Sequence, residues 1–298
     1  MNSIVDAHHH LWDLTVTPQT WLNDSMGPIN RSFDHNDLVE ATGGEIATTI
    51  IVQTTGSEAE TYAMLETAAT SELVGGVVGW VDLTAADVAD RLAAIQASPH
   101  GSWLRGIRHQ VHDEPDRHWL GRADVRRGLT AVGEAGLVFD LLIRPEHLEV
   151  STAVARDLPE VSFVVDHIAK PDVAGGFAGG SAADWEVNLR ELATLPNVAC
   201  KLSGMVTEAD WQSWTAADLR PFANVVLDAF GYDRVMYGSD WPVCLLAATY
   251  EQVLGATTHL IAELSASERN AVLGANARRI YRLPEATDRN EPKAGATC

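Results

Sequence analysis

The feature that most constrains the fold is a regular alternation of short apolar runs with longer helical segments. The runs are rich in Val, Ile and Leu and nearly continuous, which is typical of parallel strands buried on both faces. They lie at about residues 4–10, 47–53, 73–83, 104–109, 138–143, 162–168, 198–202 and 234–238. Helical segments follow at about residues 37–41, 57–71, 84–98, 122–135, 145–157, 184–195, 217–230, 249–264 and 267–283.

Eight strand–helix units predict an α/β fold of the (β/α)8 type, a TIM-like barrel in a single domain over residues 1–283. The length of 298 residues would also allow two domains, but barrels of this kind reach this size as one. An open doubly wound sheet is the alternative. The nucleotide-binding version of that sheet has little support, because no GxGxxG follows any strand and no P-loop is present. The polar segment 284–298 is predicted to be a disordered tail.

The excess of acidic residues argues against some classes of binding partner. Lys and Arg number 21 against 41 Asp and Glu, a formal net charge of -20, which would repel nucleic acid and anionic lipid. We therefore expect a small-molecule substrate, no nucleic acid and no membrane. The three cysteines, Cys200, Cys244 and Cys298, form no CxxC pair, and no signal-like or membrane-spanning apolar stretch is present. These features predict a cytoplasmic protein.

Two histidines at the end of the first strand are candidate ligands. Successive side chains of a strand point to opposite faces, so His8 and His10 share one face and His9 takes the other. Two imidazoles placed in this way can bind one metal ion or one substrate oxygen. A solvated turn is the structural alternative.

Further polar residues follow other strands, at the end of the barrel where active sites of this fold lie. They are Arg108 and His109 after strand four, Asp166, His167 and Lys170 after strand six, Lys201 in strand seven, and Asp240 after strand eight. Each has a structural explanation when taken alone. Asp240 can cap a helix, His167 can bond a carbonyl in the core, and Arg108 and Lys201 can pair with Asp166 or Asp82. Core packing does not require so many polar strand ends together, so a site is the better interpretation.

Five motifs carry a resemblance to a known family. They are Val5-Asp-Ala-His-His-His10, Gly106-Ile-Arg-His109, Asp166-His-Ile-Ala-Lys-Pro171, Asn197-Val-Ala-Cys-Lys-Leu-Ser-Gly204 and Tyr237-Gly-Ser-Asp-Trp-Pro242. From residue 3 to about residue 283 the chain resembles the amidohydrolase superfamily, and more closely its amidohydrolase-related branch, which is rich in sugar-acid lactonases. The resemblance implies a hydrolase that opens a lactone ring, with carbohydrate catabolism as its setting.

Carried over by position, the resemblance implies that His8, His10, His167 and Asp240 are catalytic. It implies one Zn²⁺ or other divalent metal on His8, His10 and Asp240, with His167 as a further candidate ligand. Binuclear relatives have a bridging lysine or glutamate after strand four, where this chain has Arg108 and His109, so a second metal is not expected. Some lactonases of the branch work without metal, so a metal-independent reaction stays open.

In the implied reaction, Asp240 takes a proton from water and returns it to the leaving alkoxide. The side chains expected to contact the substrate are Arg108, His109, Lys170, Lys201, Trp12, Trp80 and Trp241, although the tryptophans also suit cavity walls and core. A metal-dependent decarboxylase or another hydrolase of the superfamily is the first alternative. A non-catalytic small-molecule-binding barrel is the second. The particular lactone, the pathway and the oligomeric state are left open.

Overall fold

A single eight-stranded sheet forms the centre of the molecule. The computed structural model describes residues 4–178 and 180–284. Its strands pair in chain order, each parallel to the next. They are β1 (Val5–His9), β2 (Thr48–Val52), β3 (Val74–Gly79), β4 (Leu104–His109), β5 (Val138–Leu141), β6 (Ser162–Val165), β7 (Val198–Leu202) and β8 (Val235–Tyr237). All eight predicted strands are confirmed, and six are shorter than the apolar runs that predicted them.

A helix follows each strand and covers the outside of the sheet. The helices are α1 (His35–Thr42), α2 (Glu58–Thr70), α3 (Val88–Ala97), α4 (Ala123–Glu134), α5 (Leu148–Asp157), α6 (Gly180–Ala193), α7 (Ala216–Phe230) and α8 (Tyr250–Leu260), with α9 (Ala266–Asn270) and α10 (Asn276–Ile280) at the carboxyl end. This order confirms the (β/α)8 barrel. The predicted tail lies, from residue 285 onward, outside the described residues.

Backbone hydrogen bonds bring the first strand beside the last. The amide of His10 donates to the carbonyl of Trp241 (2.7 Å), and the amide of Asp240 donates to the carbonyl of His8 (2.8 Å). These bonds link the end of β1 to the segment that follows β8, so the sheet curves into a nearly closed barrel. The closure makes His8 and Asp240 neighbours although they lie near opposite ends of the sequence.

Alternate residues of each strand fill two different cores. In β2, Ile50 and Val52 pack inside the barrel, whereas Ile51 faces the helices. Both faces are therefore apolar, which explains why the strands appear as continuous hydrophobic runs. Among the residues that the structure describes, no helix combines the length and the apolar character needed to cross a bilayer.

The carboxyl-terminal helix closes the amino-terminal end of the barrel. Ala277, Tyr281 and Leu283 join the inner core, where they pack with residues such as Val5 of β1. Tyr281 is 1% exposed, so its aromatic ring lies within the barrel floor. The opposite end, where the strands finish, is left for the polar residues.

Candidate active site

The two histidines of the first strand lie together at the carboxyl end of the barrel. The Nε2 atoms of His8 and His10 are 3.2 Å apart. The Nδ1 atom of His10 lies 2.8 Å from the carbonyl oxygen of Val52, which can only accept, so neutral His10 carries its proton on Nδ1 and leaves Nε2 bare. Burial lowers the pKa of His8 well below its ordinary value, although Asp166 beside it favours the charged form. His8 therefore stays neutral at neutral pH.

A buried carboxylate on β1 positions the turn that carries Asp240. Asp6 accepts hydrogen bonds from the amide (2.9 Å) and the hydroxyl (2.6 Å) of Ser239 and from the hydroxyl of Tyr250 (2.9 Å). Asp240 itself has a positive φ of 58°, a conformation that non-glycine residues seldom adopt. The Asp6 contacts stabilise this turn and direct the Asp240 carboxylate toward the histidines.

His167 projects from an unusual left-handed turn. The sequence predicts a strand through residue 168, but β6 ends at Val165, and residues 167–170 all have φ between 49° and 62°. Such a conformation costs of order 1–2 kcal/mol per residue, and it turns the His167 ring toward the barrel axis. Nδ1 of His167 lies 2.9 Å from the hydroxyl of Ser203. A Cβ at Gly204 would lie 2.5 Å from the His167 ring, so glycine is required there.

One oxygen of Asp240 is the centre of the cluster. Its Oδ1 lies 3.4 Å from Nε2 of His10, 3.7 Å from Nε2 of His167 and 3.8 Å from Nε2 of His8. Burial alone would raise the pKa of Asp240, but His167 and His10 lower the pKa below its ordinary value, so the side chain is a carboxylate. Burial lowers the pKa of His167 well below its ordinary value. The cluster thus joins an ionised carboxylate to the neutral imidazoles of His8 and His167.

The donor set fits a single divalent metal. One ligand atom each from His8, His167 and Asp240 lie within 4.8 Å of one another, and the His10 nitrogen is within 3.4 Å of both His8 and Asp240. Ligands of a tetrahedral zinc are about 3.3 Å apart, given bonds of about 2.0–2.1 Å. Metal ligands must be deprotonated, and the lowered pKa values of His8, His167 and Asp240 meet this condition. These four residues can therefore hold one ion.

A layer of buried charges lies beside and beneath the cluster. Nη1 of Arg108 is 3.1 Å from Asp166 and 3.2 Å from Nε2 of His8. Nζ of Lys201 is 2.5 Å from Asp140 and 2.9 Å from Asp166. Burial would raise the pKa of Asp166, but Lys201, His8 and Arg108 lower it well below its ordinary value. Two cations, Arg108 and Lys201, thus balance the two carboxylates of Asp140 and Asp166.

A cavity of about 380 Å³ opens above the cluster. This volume suits a small molecule of about one sugar ring. His10, His167, Asp240 and Arg108 lie at the polar end of the cavity. Its other walls come from loops: Trp21 and Met26 after β1, Gln110, His112 and Asp113 after β4, Leu142 and Arg144 after β5, Lys170 after β6, Thr207, Glu208 and Trp211 after β7, and Val243 and Leu246 after β8.

Five of the residues predicted to contact substrate lie outside this lining. Lys201 is fully buried among carboxylates, and Trp12 and Trp241 are 4% and 2% exposed in the aromatic core around Phe33. The fourth and fifth, Trp80 and His109, form a hydrogen bond in which the indole of Trp80 donates to Nδ1 of His109. Nε2 of His109 in turn donates to the carboxylate of Glu114. His109 also stacks on Trp119 at 4.2 Å. Contact of these five with a substrate stays a prediction, and in this structure none of the five lines the cavity.

Arg108 and Lys170 line the cavity, and their contact with the substrate stays a prediction. Lys170 forms an ion pair with Glu208 at its edge. The exposed aromatic Trp211, the cation Arg144 and the imidazole of His112 were not foreseen, because they lie on loops without a periodic pattern. Asp140 could have been found from the sequence, since it interrupts an otherwise apolar strand.

Acidification is expected to destabilise the protein through His112. Burial, with the nearby charges of Lys170 and Arg144, lowers the pKa of His112 to about 3. The unfolded chain, with a histidine pKa near 6.5, binds more protons than the native state between these two values, so stability falls as pH drops through that window. At pH 5 the contribution of His112 to this loss in the free energy of unfolding is at most about 2 kcal/mol. Urea unfolding at pH 7 and pH 5 measures it, and His112→Gln should show a smaller loss. An equal loss in both proteins would contradict this origin.

The fold and the cluster together define a class of protein. A parallel barrel that gathers two histidines at its first strand, one after its sixth and an aspartate after its eighth has the donor set of a metal-binding barrel enzyme. A sequence profile described as amidohydrolase matches residues 5–283. The chain belongs to the amidohydrolase family, which confirms the resemblance found in the sequence.

Individual relatives are similar over nearly the whole chain. An L-fucono-1,5-lactonase of Burkholderia multivorans is 39% identical over 296 residues, which span 95% of this chain and 97% of the relative. An L-fucono-1,5-lactonase of Burkholderia ambifaria is 34% identical over 286 residues, with 94% and 95% covered. A crystal structure of a Burkholderia multivorans amidohydrolase with bound zinc is 38% identical, with a TM-score of 0.88, and the match covers 94% of this chain and 99% of that one.

Proposed function

We propose that this protein is a hydrolase that opens sugar-acid lactones, with 1,5-lactones as the first substrate class. The observation that carries the proposal is the ionised Asp240, held within 3.4–3.8 Å of three imidazole nitrogens beside a cavity of one-sugar size. The names of the two Burkholderia relatives support the substrate class.

Asp240 is the general base and then the general acid. A water molecule beside its carboxylate gives up a proton to Asp240 as the water oxygen bonds to the lactone carbonyl carbon. The tetrahedral centre then expels the ring oxygen, and Asp240 returns the proton to that oxygen. The product is an open-chain hydroxy acid. The lowered pKa of Asp240 keeps the side chain ionised at neutral pH, which is the form that can accept a proton.

Arg108 and His167 stabilise the oxygen that becomes negative. Arg108 is 3% exposed and lines the cavity, and its guanidinium is held by Asp166 and by the backbone and side chain of Gln53. A fixed cation that needs no reorganisation favours the developing oxyanion. His167, fixed by Ser203, orients the water or the carbonyl.

A bound metal would supply Lewis-acid polarisation of the carbonyl or of the attacking water. His8, His10 and Asp240, with His167, are the residues that would hold it. Burial lowers the pKa of His8 and His167, which suits this role and also suits direct hydrogen bonding to the carbonyl. The protein groups therefore perform the same positioning whether or not the reaction requires the ion.

We expect at most one bound metal ion. The Arg108 guanidinium, 3.2 Å from Nε2 of His8, places a positive charge where a second ion would have to lie. Crystals soaked in zinc should show one anomalous peak next to His8 and His10 at the zinc edge. Two equally occupied peaks about 3.5–4 Å apart would contradict this expectation.

A panel of lactones tests the proposed function. Purified protein is incubated with sugar-acid 1,5- and 1,4-lactones, including L-fucono-1,5-lactone, and ring opening is followed by proton release with and without a chelator. We expect turnover well above the spontaneous rate on at least one 1,5-lactone. Carbon dioxide release from hydroxybenzoates, abolished by the chelator, would instead indicate a decarboxylase. Tight lactone binding without turnover would indicate a binding barrel.

We also propose that the protein works in a reducing, cytoplasmic compartment. Cys200 and Cys244 are free and buried, and burial raises the pKa of the Cys200 thiol, so neither is arranged for disulfide chemistry.

A further inference from the structure

A chain of buried polar contacts runs from the barrel floor to His8. The hydroxyl of Tyr281 donates to Asp140, at 2.8 and 2.9 Å from its two oxygens. Lys201 binds the same carboxylate at 2.5 Å, and its Nζ is 2.9 Å from Asp166 and 3.2 Å from Nδ1 of His8. Asp166 is 3.3 Å from the same nitrogen. Every member is at most 1% exposed.

None of the four residues that lead to His8 lines the cavity. They cannot touch a substrate, so any effect on the reaction must pass through a neighbour. Stability does not explain them either, because a buried ion pair is often no more stable than apolar residues of similar volume. These four residues lead to one ring nitrogen, Nδ1 of His8, which Lys201 and Asp166 contact.

Contacts at Nδ1 of His8 determine the direction in which Nε2 of the same ring points. With Lys201 and Asp166 both against Nδ1, the imidazole cannot rotate without losing a charged neighbour. Nε2 is thereby directed at His10 and Asp240, at 3.2 and 3.8 Å. A ring held only by apolar packing could turn or flip, and the four-residue cluster would lose its geometry.

We propose that Tyr281, Asp140, Lys201 and Asp166 form a positioning chain that fixes His8, which makes the residue directly after α10 part of the support of the active site. The kinetic consequence rests on the proposed function. The orientation of His8 and the affinity of the protein for a metal are independent of the proposed function.

Two variants test the chain. The double variant Asp140→Asn/Lys201→Met removes one negative and one positive charge, so the Arg108–Asp166 pair stays balanced. Tyr281→Phe removes only a hydroxyl and keeps the ring that packs in the floor. Thr152→Val is the matched control, because it removes a buried hydroxyl that bonds Leu148 within α5, away from the site.

Three measurements are made on each folded variant. The first is the 15N chemical shifts of the His8 ring, assigned from the signals missing in His8→Gln. The second is the affinity for zinc by chelator competition, and the third is kcat and KM on the best lactone. We expect the double variant to shift the His8 signals toward those of a free imidazole, to weaken zinc binding about 10–100-fold and to lower kcat with KM nearly unchanged. Tyr281→Phe should change all three in the same direction by less, and Thr152→Val should change none.

Wild-type His8 signals and zinc affinity in both variants would overturn the proposal. If the double variant does not fold, Tyr281→Phe decides alone: altered His8 signals support the chain, and wild-type signals overturn it. If the wild-type protein opens no lactone, the proposed function fails, while the His8 signals still decide the positioning chain.

Discussion

Asp240→Asn is expected to lower turnover by about 10²–10⁴, or roughly 3–5 kcal/mol of barrier, while the fold stays intact. The amide keeps the shape of the carboxylate but cannot take a proton from water. As a turn residue Asn would serve nearly as well, since both residues tolerate a positive φ such as the 58° found here. The measurement is kcat on the best lactone, with a thermal melt of both proteins.

The control for this variant is Asp157→Asn. Asp157 is an exposed carboxylate that pairs with Arg126 on the outside of the barrel, so its loss should leave kcat unchanged. An Asp240→Asn protein within about threefold of wild type would remove Asp240 from the mechanism. His167 would then be the next candidate base.

Replacement of Arg108 should cause the second-largest loss, about 10²–10³ in kcat, which is the usual effect of removing one oxyanion-stabilising donor. In Arg108→Ala the cavity loses its fixed cation, and Asp166 keeps Lys201 as its partner, 2.9 Å away. Arg108→Lys should recover little, because an ammonium cannot bond both Asp166 and Gln53 as the guanidinium does.

Added guanidinium provides the discriminating measurement for Arg108. If the lost charge causes the defect, millimolar guanidinium should partly restore kcat in Arg108→Ala and leave Arg108→Lys unaffected. Arg91→Ala removes a half-exposed surface arginine and should keep wild-type activity. Full activity of Arg108→Ala would show that the guanidinium is only a partner for Asp166.

Much of the architecture follows from local patterns. Apolar runs such as residues 47–53 and 198–202 indicate strands buried on both faces, and their eightfold alternation with helices allows few folds other than a barrel. Strand ends were less predictable. The run at residues 162–168 was predicted to be one strand, but β6 stops at Val165 and gives way to a left-handed turn. Hydrophobic periodicity contains no information about the sign of φ, so this turn could not be anticipated.

The same limit applies to the site. Sequence patterns identify His8, His10, His167 and Asp240 as candidates because they are polar residues at strand ends, and the structure brings these four together. Patterns do not indicate the direction of a side chain on an irregular loop. Trp80, for example, is expected at the substrate from its position, whereas in the structure its indole donates to His109 and it does not line the cavity.

The sequence by itself determined the strand order, the family and the four residues of the cluster, because these depend on residue type and spacing along the chain. Tertiary structure alone decided which polar groups face the cavity and which face one another. Lys201 illustrates the difference, since a lysine at the end of a strand suits a substrate contact. Barrel closure surrounds Lys201 with Asp140 and Asp166, and its fully buried ammonium is stabilised there by two carboxylates. A buried charge needs partners from distant parts of the chain, and only folding shows whether they are present.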